Sequence, residues 1–180
     1  MVQETQLFKI AYIGAQGSGK TTTVNRVARM LDDAHIPNRV VIEKARMCPH
    51  PLQSFKAQEW MVNEQIRDEE YTEKILATIA KEKNPPYVFE LCDRSIWDQI
   101  VYMTYMNRRG IVTDAELRVI ESLVTGYVDK MLTYDQIYFC EIKALYDDPK
   151  RPKDEQYQAE IYKMFKEIIK ERGIRVTMVQ

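Results

Sequence analysis

The sequence predicts an α/β fold in which one parallel sheet carries helices on both faces. The first observation is an alternation of short β-prone runs with stretches of helical composition and periodicity. The second is a glycine-rich segment, residues 14–21, between the first of these runs and the first helix. Strands that alternate with helices pair in parallel, and their carboxyl ends meet at the edge where open α/β sheets bind ligands.

The alternating segments fill the whole chain. The strands are predicted at residues 7–13, 39–42, 87–92, 136–140 and 174–179. The helices are predicted at residues 22–31, 53–83, 95–107, from Thr113 onward, and at 154–172. Because no linker interrupts them, we expect a single domain over residues 1–180, with a lid segment at about 143–153.

Local signals support individual helices. The first helix places three apolar residues on one face, at Val24, Val27 and Leu31. The second is broken by the proline pair at 85–86. Thr113 and Glu116 form a capping box that begins the fourth helix, and Gly173 is suited to end the last one.

Residues 14–21, Gly-Ala-Gln-Gly-Ser-Gly-Lys-Thr, fill every fixed position of the phosphate-binding P-loop. Glycines allow the tight turn in which backbone N–H groups point inward at a phosphate. Lys20 is expected to reach the outer phosphates of a nucleoside triphosphate, and the Thr21 hydroxyl to ligate the accompanying magnesium ion. The nucleotide contacts are predicted at Gly14, Gln16, Gly17, Ser18, Gly19, Lys20, Thr21 and Thr22. The alternative is a chance glycine-rich turn.

Asp93, Arg94 and Ser95 directly follow the third predicted strand. P-loop proteins place the carboxylate that holds magnesium at such a position, and an arginine beside it suits bidentate phosphate recognition. The alternative is that Asp93 and Ser95 only cap the next helix. With a P-loop in the same chain, we predict that Lys20, Asp93 and Arg94 are catalytic and that Thr21 and Asp93 bind the metal.

Glu43 follows the second predicted strand in the same way. A carboxylate at that strand end can accept the proton of an attacking hydroxyl if it lies within hydrogen-bond reach. Arg46 is expected to hold this carboxylate or a substrate anion. The competing interpretation is a surface turn with an ordinary Glu–Arg pair.

The second helix carries two amides within an apolar stripe. Gln58, Met61, Val62 and Gln65 fall on one side of it, and Trp60 is nearby. An amide matches a hydrogen-bond donor and acceptor at once, so Gln58 and Gln65 are predicted to read the edge of a nucleobase. The alternative is an amphipathic core helix with polar residues at its margin.

The lid segment contains three cations just before the last helix, at Lys150, Arg151 and Lys153. Arg151, which is planar and permanently charged, is predicted to neutralise charge that develops on the transferred group. A solvated run of charges is the alternative.

Composition limits the partners. With 26 basic and 27 acidic residues the net charge is −1, so no overall field favours nucleic acid or an anionic membrane. No apolar run approaches membrane-spanning length and no leader follows Met1, so we expect a cytoplasmic protein. Cys48, Cys92 and Cys140 lack metal-site spacing and are expected to be buried free thiols.

Taken together, these residues resemble the P-loop nucleoside and nucleotide kinases. Residues 14–21 are similar to their phosphate loop, and residues 93–95 to the Asp/Glu-Arg-Ser/Tyr signature of deoxynucleoside and thymidylate kinases. Glu43 falls where deoxynucleoside kinases carry their general base. Residues 43–46 and 148–155 are most similar to AAA-labelled kinase-like ATPases, a group that includes ribosylnicotinamide kinase domains.

The resemblance implies a three-layer αβα sandwich with a five-stranded parallel sheet of order 2-3-1-4-5. It also implies ATP and magnesium at the P-loop and an acceptor between the second and third helices. In that picture Glu43 takes the proton of a sugar hydroxyl, Arg94 and Lys20 hold phosphates, and Arg151 closes from the lid. The sequence ends at Gln180, where such kinases usually continue into a loop against the adenine, so the resemblance leaves the donor's base contacts open.

The predicted function is ATP- and magnesium-dependent phosphoryl transfer to a nucleoside or nucleoside monophosphate. The alternatives are an ATPase or regulatory switch without a small-molecule acceptor, a kinase for a hydroxyl of a modified base in DNA, and an idle binding module. Near-neutral charge and the absence of a basic aromatic stripe argue against a nucleic-acid groove. No Asn-Lys-x-Asp motif follows the fourth strand, which argues against a GTPase. The oligomeric state is open, with a homodimer as one option.

Overall fold

The computed structural model describes residues 4–131, 134–144 and 154–180. The strands are β1 (Gln6–Ile13), β2 (Asn38–Val41), β3 (Tyr87–Asp93), β4 (Gln136–Cys140) and β5 (Thr177–Val179). The helices are α1 (Lys20–Asp33), α2 (Phe55–Lys83), α3 (Trp97–Arg108), α4 (Asp114–Met131) and α5 (Glu155–Glu171). A 3-10 turn, Ala45–Met47, follows β2. The predicted alternation of strands and helices is confirmed.

The sheet has the order β2-β3-β1-β4-β5 and every pairing is parallel. This confirms the order 2-3-1-4-5 that the resemblance implied. At the carboxyl end of β1, Tyr12 pairs with Asp93 and Ile13 pairs with Phe139. The ends of β1, β3 and β4 therefore meet where the P-loop begins.

Helices cover both faces of the sheet. Side chains of the central strands alternate between two apolar clusters, and helical residues belong to each cluster. Ile13 belongs to the larger cluster, together with Ile100 of α3 and Phe165 of α5. Tyr12 belongs to the smaller cluster, with Val24 of α1. Helix α1 thus packs on one face, residues of the remaining helices pack on the other, and the fold has three layers.

Side-chain caps begin three helices, at Ser54 for α2, Thr113 for α4 and Asp154 for α5. The Ser54 hydroxyl accepts a hydrogen bond from the Ala57 N–H at 3.2 Å, so α2 starts slightly later than predicted. The Thr113 hydroxyl accepts from the Glu116 N–H at 3.2 Å, and the Thr113 N–H donates to the Glu116 carboxylate at 2.7 Å. The predicted capping box is confirmed.

The fifth strand is shorter than the predicted range 174–179 and begins only at Thr177. The reason is the end of α5, where Gly173 has φ +62°. The Gly173 N–H donates to the Lys170 carbonyl at 3.3 Å and the Ile174 N–H to the Ile169 carbonyl at 3.0 Å. These are the two bonds of a Schellman motif, so residue 174 belongs to the helix cap and not to the strand.

The three cysteines are free thiols, of which Cys92 and Cys140 are buried and Cys48 is half-buried. None of the helices in the described part of the chain has the length and apolar character that crossing a membrane requires.

Candidate functional site

The P-loop connects β1 to α1 through three glycines with positive φ, namely Gly14 at +138°, Gly17 at +71° and Gly19 at +84°. A Cβ atom on Gly14 would lie 2.8 Å from the Cys140 carbonyl oxygen and 3.2 Å from the Ser18 hydroxyl. No side chain fits in that space. The loop therefore passes directly against the end of β4, as its sequence requires.

Lys20 is buried and lies across the loop. Its Nζ donates to the Gly14 and Ala15 carbonyls, both at 2.8 Å, and to the Ser18 hydroxyl at 3.3 Å. Burial, and then the nearby charge of Arg94, lower the pKa of Lys20 to about 8. A phosphate beside this ammonium would favour its charged form, so the loop is prepared to bind an anion.

Thr21 and Asp93 lie together at the start of α1 and the end of β3. The Thr21 hydroxyl donates to Asp93 Oδ2 at 2.6 Å. Asp93 Oδ1 is buried and has no hydrogen-bond partner among the described residues. A hydroxyl and an unpaired carboxylate oxygen are ligands that suit a hard divalent cation such as magnesium. The predicted metal residues are thus adjacent and chemically suited to the role.

Arg94 joins the ends of β2 and β3. It has φ +98°, unusual for a residue with a side chain, and its N–H donates to the Tyr12 carbonyl at 3.1 Å. Its Nε lies 2.7 Å and its Nη2 2.6 Å from Glu43 Oε1. Nη1 donates to Asp98 at 3.0 Å and to the Tyr102 hydroxyl at 3.2 Å. The structure thus brings together two predicted site residues, Glu43 and Arg94, which follow separate strands.

Asp98 and Tyr102 are site residues that sequence reasoning missed. Asp98 is fully buried, and burial raises its pKa to about 6, although Arg94 and Lys20 act in the opposite direction. Burial alone would lower the pKa of Arg94, but Glu43, Tyr102 and Asp98 outweigh it and hold that pKa above its ordinary value. Asp98 and Tyr102 are four residues apart and share one side of α3, and that side faces the Arg94 guanidinium.

A cavity of about 340 Å³ lies beside the P-loop. Helices α2, α3 and α5 and the segments that precede them line it, together with the P-loop. The lining residues include Gln16, Gln58, Met61, Arg94, Gln99, Tyr102, Tyr105, Met106 and Tyr157. Gln58 donates through Nε2 to the Leu52 carbonyl at 2.9 Å, which fixes the orientation of its amide. The Oε1 atoms of Gln58 and Gln99 are buried and have no hydrogen-bond partner among the described residues. The cavity therefore offers two acceptors to a ligand that carries N–H or O–H groups.

Gln65 takes a different place from Gln58. Its Nε2 donates to Glu69 at 2.7 Å and to the Arg94 carbonyl at 3.4 Å, and it is not a lining residue of the cavity. For Gln65 this bonding within the protein agrees with the alternative interpretation of α2 as an amphipathic core helix. Arg46 lies in the exposed 3-10 turn beside Ala45, which lines the cavity. Thr22 is exposed on the first turn of α1.

The lid prediction falls mostly outside the described residues, as does Arg151. Lys143, however, lies over the P-loop, with its Nζ 3.6 Å from the position that a Cβ atom on Gly19 would take. Gln158 of α5 holds this segment in place, because its Nε2 donates to the Gln16 carbonyl at 2.8 Å and to the Lys143 carbonyl at 3.1 Å. Lys143 is a second cation at the P-loop, and no local pattern distinguished it from other surface lysines.

Comparisons with known proteins agree with this architecture. A family model described as an AAA domain matches residues 9–180. None of the curated proteins searched matches the chain.

Several solved structures have the same fold. One is deoxyadenosine kinase from M. mycoides with dCMP and a flexible dCDP bound, with TM-score 0.63 and 16% identity over 96% of this chain and 90% of that chain. The same enzyme with bound dATP gives TM-score 0.62, 16% identity and the same coverage. Thymidylate kinase from Ehrlichia chaffeensis gives TM-score 0.58 and 17% identity over 96% and 86% of the two chains. At such identities the likeness concerns the fold.

Proposed function

We propose that this chain is a phosphotransferase. It belongs to the AAA domain family and has the fold of the P-loop nucleoside and nucleotide kinases. The donor is ATP, used with magnesium, and the acceptor is a hydroxyl of a nucleoside or nucleoside monophosphate. The observation that carries the proposal is a cavity that adjoins the P-loop and shares Arg94 with the carboxylate Glu43. A nucleotide switch has no need of such an acceptor cavity.

The donor's phosphates would lie on the P-loop. Its N–H groups and the amino-terminal end of α1 favour negative charge, and Lys20 and Lys143 supply cations on two sides. Thr21 and Asp93 would hold magnesium, which neutralises charge on the phosphates when bound. A similar deoxyadenosine kinase has been solved with bound dATP, which supports nucleotide binding by this chain.

The acceptor would occupy the cavity. The unpaired Oε1 atoms of Gln58 and Gln99 can accept hydrogen bonds from the amino or amide groups of a base. Tyr102, Tyr105 and Tyr157 give the cavity aromatic walls on which a planar ring can stack. Arg46 would bind an acceptor phosphate if the substrate carries one.

Glu43 is the proposed general base. Its carboxylate accepts the proton of the acceptor hydroxyl as that oxygen bonds to the γ-phosphorus and the bond from phosphorus to the β–γ bridging oxygen breaks, releasing ADP. Arg94 holds this carboxylate in place, because its Nε and Nη2 both contact Glu43 Oε1. Arg151 remains a proposed contributor from the lid.

The test is a panel of nucleosides and monophosphates incubated with labelled ATP and magnesium, with label in the acceptor as the readout. We expect one class of compound to acquire label, and Glu43→Gln to reduce the transfer at least a hundredfold while ATP affinity changes less than threefold. Hydrolysis that no acceptor stimulates would support the switch instead. Unchanged turnover in Glu43→Gln would remove this residue from the role of base.

A further inference from the structure

A buried ionic cluster lies behind the candidate site, on the α2 side of β1 and β3. Its centre is Glu69 of α2, which is fully buried. Glu69 Oε2 lies 2.8 Å from Lys9 Nζ, and it accepts a hydrogen bond from the Tyr127 hydroxyl at 3.2 Å. Burial alone would lower the pKa of Lys9, but Glu69 and then Glu90 outweigh it and hold that pKa above its ordinary value.

The cluster has the composition of a metal site but is already compensated. Ligand atoms of Glu69, Glu90 and Cys92 lie within 4.8 Å of one another. The Lys9 ammonium contacts the same carboxylate and provides the positive charge, so a further cation there would be repelled. The role of the cluster therefore depends on the other contacts of Glu69.

The other oxygen of Glu69 is connected by hydrogen bonds to the turn at residues 94–96. Glu69 Oε1 accepts from Gln65 Nε2 at 2.7 Å, and the same amide donates to the Arg94 carbonyl at 3.4 Å. Glu69 Oε1 also accepts from the Tyr134 hydroxyl at 2.8 Å, and that hydroxyl accepts from the Ile96 N–H at 2.9 Å. One carboxylate oxygen thus fixes the backbone of residues 94–96 through two side chains.

That turn needs support from outside. A positive φ at a residue with a side chain costs about 1 to 3 kcal/mol and persists only where the surroundings determine it. The strain is stored at Arg94, whose side chain holds Glu43 and lines the cavity. If the turn relaxed, the Arg94 guanidinium would change direction and would no longer hold the Glu43 carboxylate.

We propose that Glu69 is a positioning residue. It acts through Gln65 and Tyr134 to hold the 94–96 turn in the conformation in which Arg94 orients Glu43. This inference deepens the proposed function and rests on it for its kinetic consequence, but its structural part can be measured without any substrate.

The test uses two matched pairs. The hydroxyls of Tyr134 and Tyr127 both donate to Glu69, but only that of Tyr134 also accepts from the turn, so Tyr127→Phe controls for Tyr134→Phe. Glu69 and Glu73 both contact Lys9 at 2.8 Å, and no hydrogen bond between Glu73 and the turn is found among the described residues, so Glu73→Gln controls for Glu69→Gln.

The structural readout is hydrogen exchange by NMR at the Ile96 amide and at the Arg94 Nε–H, with the unfolding free energy of each variant as reference. In Tyr134→Phe and Glu69→Gln we expect exchange at both groups to accelerate at least tenfold more than global stability explains, and in the controls to follow stability. Equal acceleration in both members of a pair would overturn the proposal. If Glu69→Gln does not fold, the tyrosine pair decides alone.

The kinetic readout separates this proposal from the proposed function. We expect Tyr134→Phe to lower kcat about tenfold with KM for ATP within twofold, and Tyr127→Phe to keep both within twofold. If the wild-type protein phosphorylates no acceptor, the proposed function fails while the exchange result still judges the positioning role. If kcat falls equally in the two tyrosine variants, the positioning role fails and the kinase activity stands.

Discussion

Replacing Gly14 with alanine is expected to destabilise the protein and to impair the P-loop together. The new Cβ would lie 2.8 Å from the Cys140 carbonyl oxygen, a backbone atom that cannot rotate away. Its φ of +138° is in addition a conformation that alanine rarely adopts. Strain of about 1 to 3 kcal/mol and a similar cost for displaced backbone give a total loss of about 2 to 6 kcal/mol in the free energy of unfolding.

Gly126→Ala is the matched control, because the substitution is the same and the surroundings are the opposite. Gly126 lies inside α4, and nothing lies within 4 Å of the position that its Cβ would take. Alanine there should increase the free energy of unfolding by about 0.5 to 1 kcal/mol.

Urea denaturation measures the free energy of unfolding of both variants, and calorimetric titration measures their affinity for ATP. We expect Gly14→Ala to lose at least tenfold in affinity and Gly126→Ala to bind as the wild type does. If Gly14→Ala is destabilised by less than about 0.5 kcal/mol, the close approach of the loop to β4 is wrong.

Two further predictions concern charges. Lys143→Ala should weaken ATP binding about threefold to tenfold at low salt, and by less as salt increases, because the lysine is exposed beside the P-loop. Titrations at two salt concentrations measure this, and equal affinity at low salt would exclude the contact. Burial raises the pKa of Glu90 to about 8 from 4.5, although Lys9 opposes the shift. Between these pH values the folded state keeps a proton that the unfolded state releases, so wild-type stability falls as pH rises through the window. Glu90→Gln should flatten this decline in urea denaturation at a series of pH values, and an unchanged slope would contradict the shift.

The fold could be predicted from the sequence because its signals are local. The P-loop, the capping box at Thr113 and the glycine at 173 each act through residues within one turn of the chain. The strand–helix alternation, together with the resemblance, was enough for the sheet order. The error at β5 arose because residue 174 is β-prone, whereas its N–H is used by the end of α5.

The candidate site was predictable only where residues follow a strand. Asp93 is the last residue of β3, Arg94 follows it, and Glu43 lies just beyond β2, so the parallel topology brings them together. Gln58 and Gln65 have the same helical phase but different surroundings, since one borders the cavity and the other contacts Glu69. That difference depends on how α2 crosses the sheet, which spacing along a helix does not contain.

Asp98, Gln99 and Glu69 were missed for a related reason. Each is a buried polar residue inside a helix. Asp98 and Glu69 find partners outside their own helices, and Gln99 Oε1 has no partner among the described residues. In sequence such residues are indistinguishable from the solvent-facing polar positions of an amphipathic helix. Only the packed structure separates them.

The amide of Gln158 links the P-loop to the segment that follows β4. Its single nitrogen serves the Gln16 carbonyl in the first loop of the chain and the Lys143 carbonyl near the end of the sheet. Neither carbonyl can receive that bond until α5 has docked. The Gln16 carbonyl of the P-loop is thus held by a residue 142 positions further along the chain, so this part of the loop depends on the packing of a distant helix as well as on its own glycines.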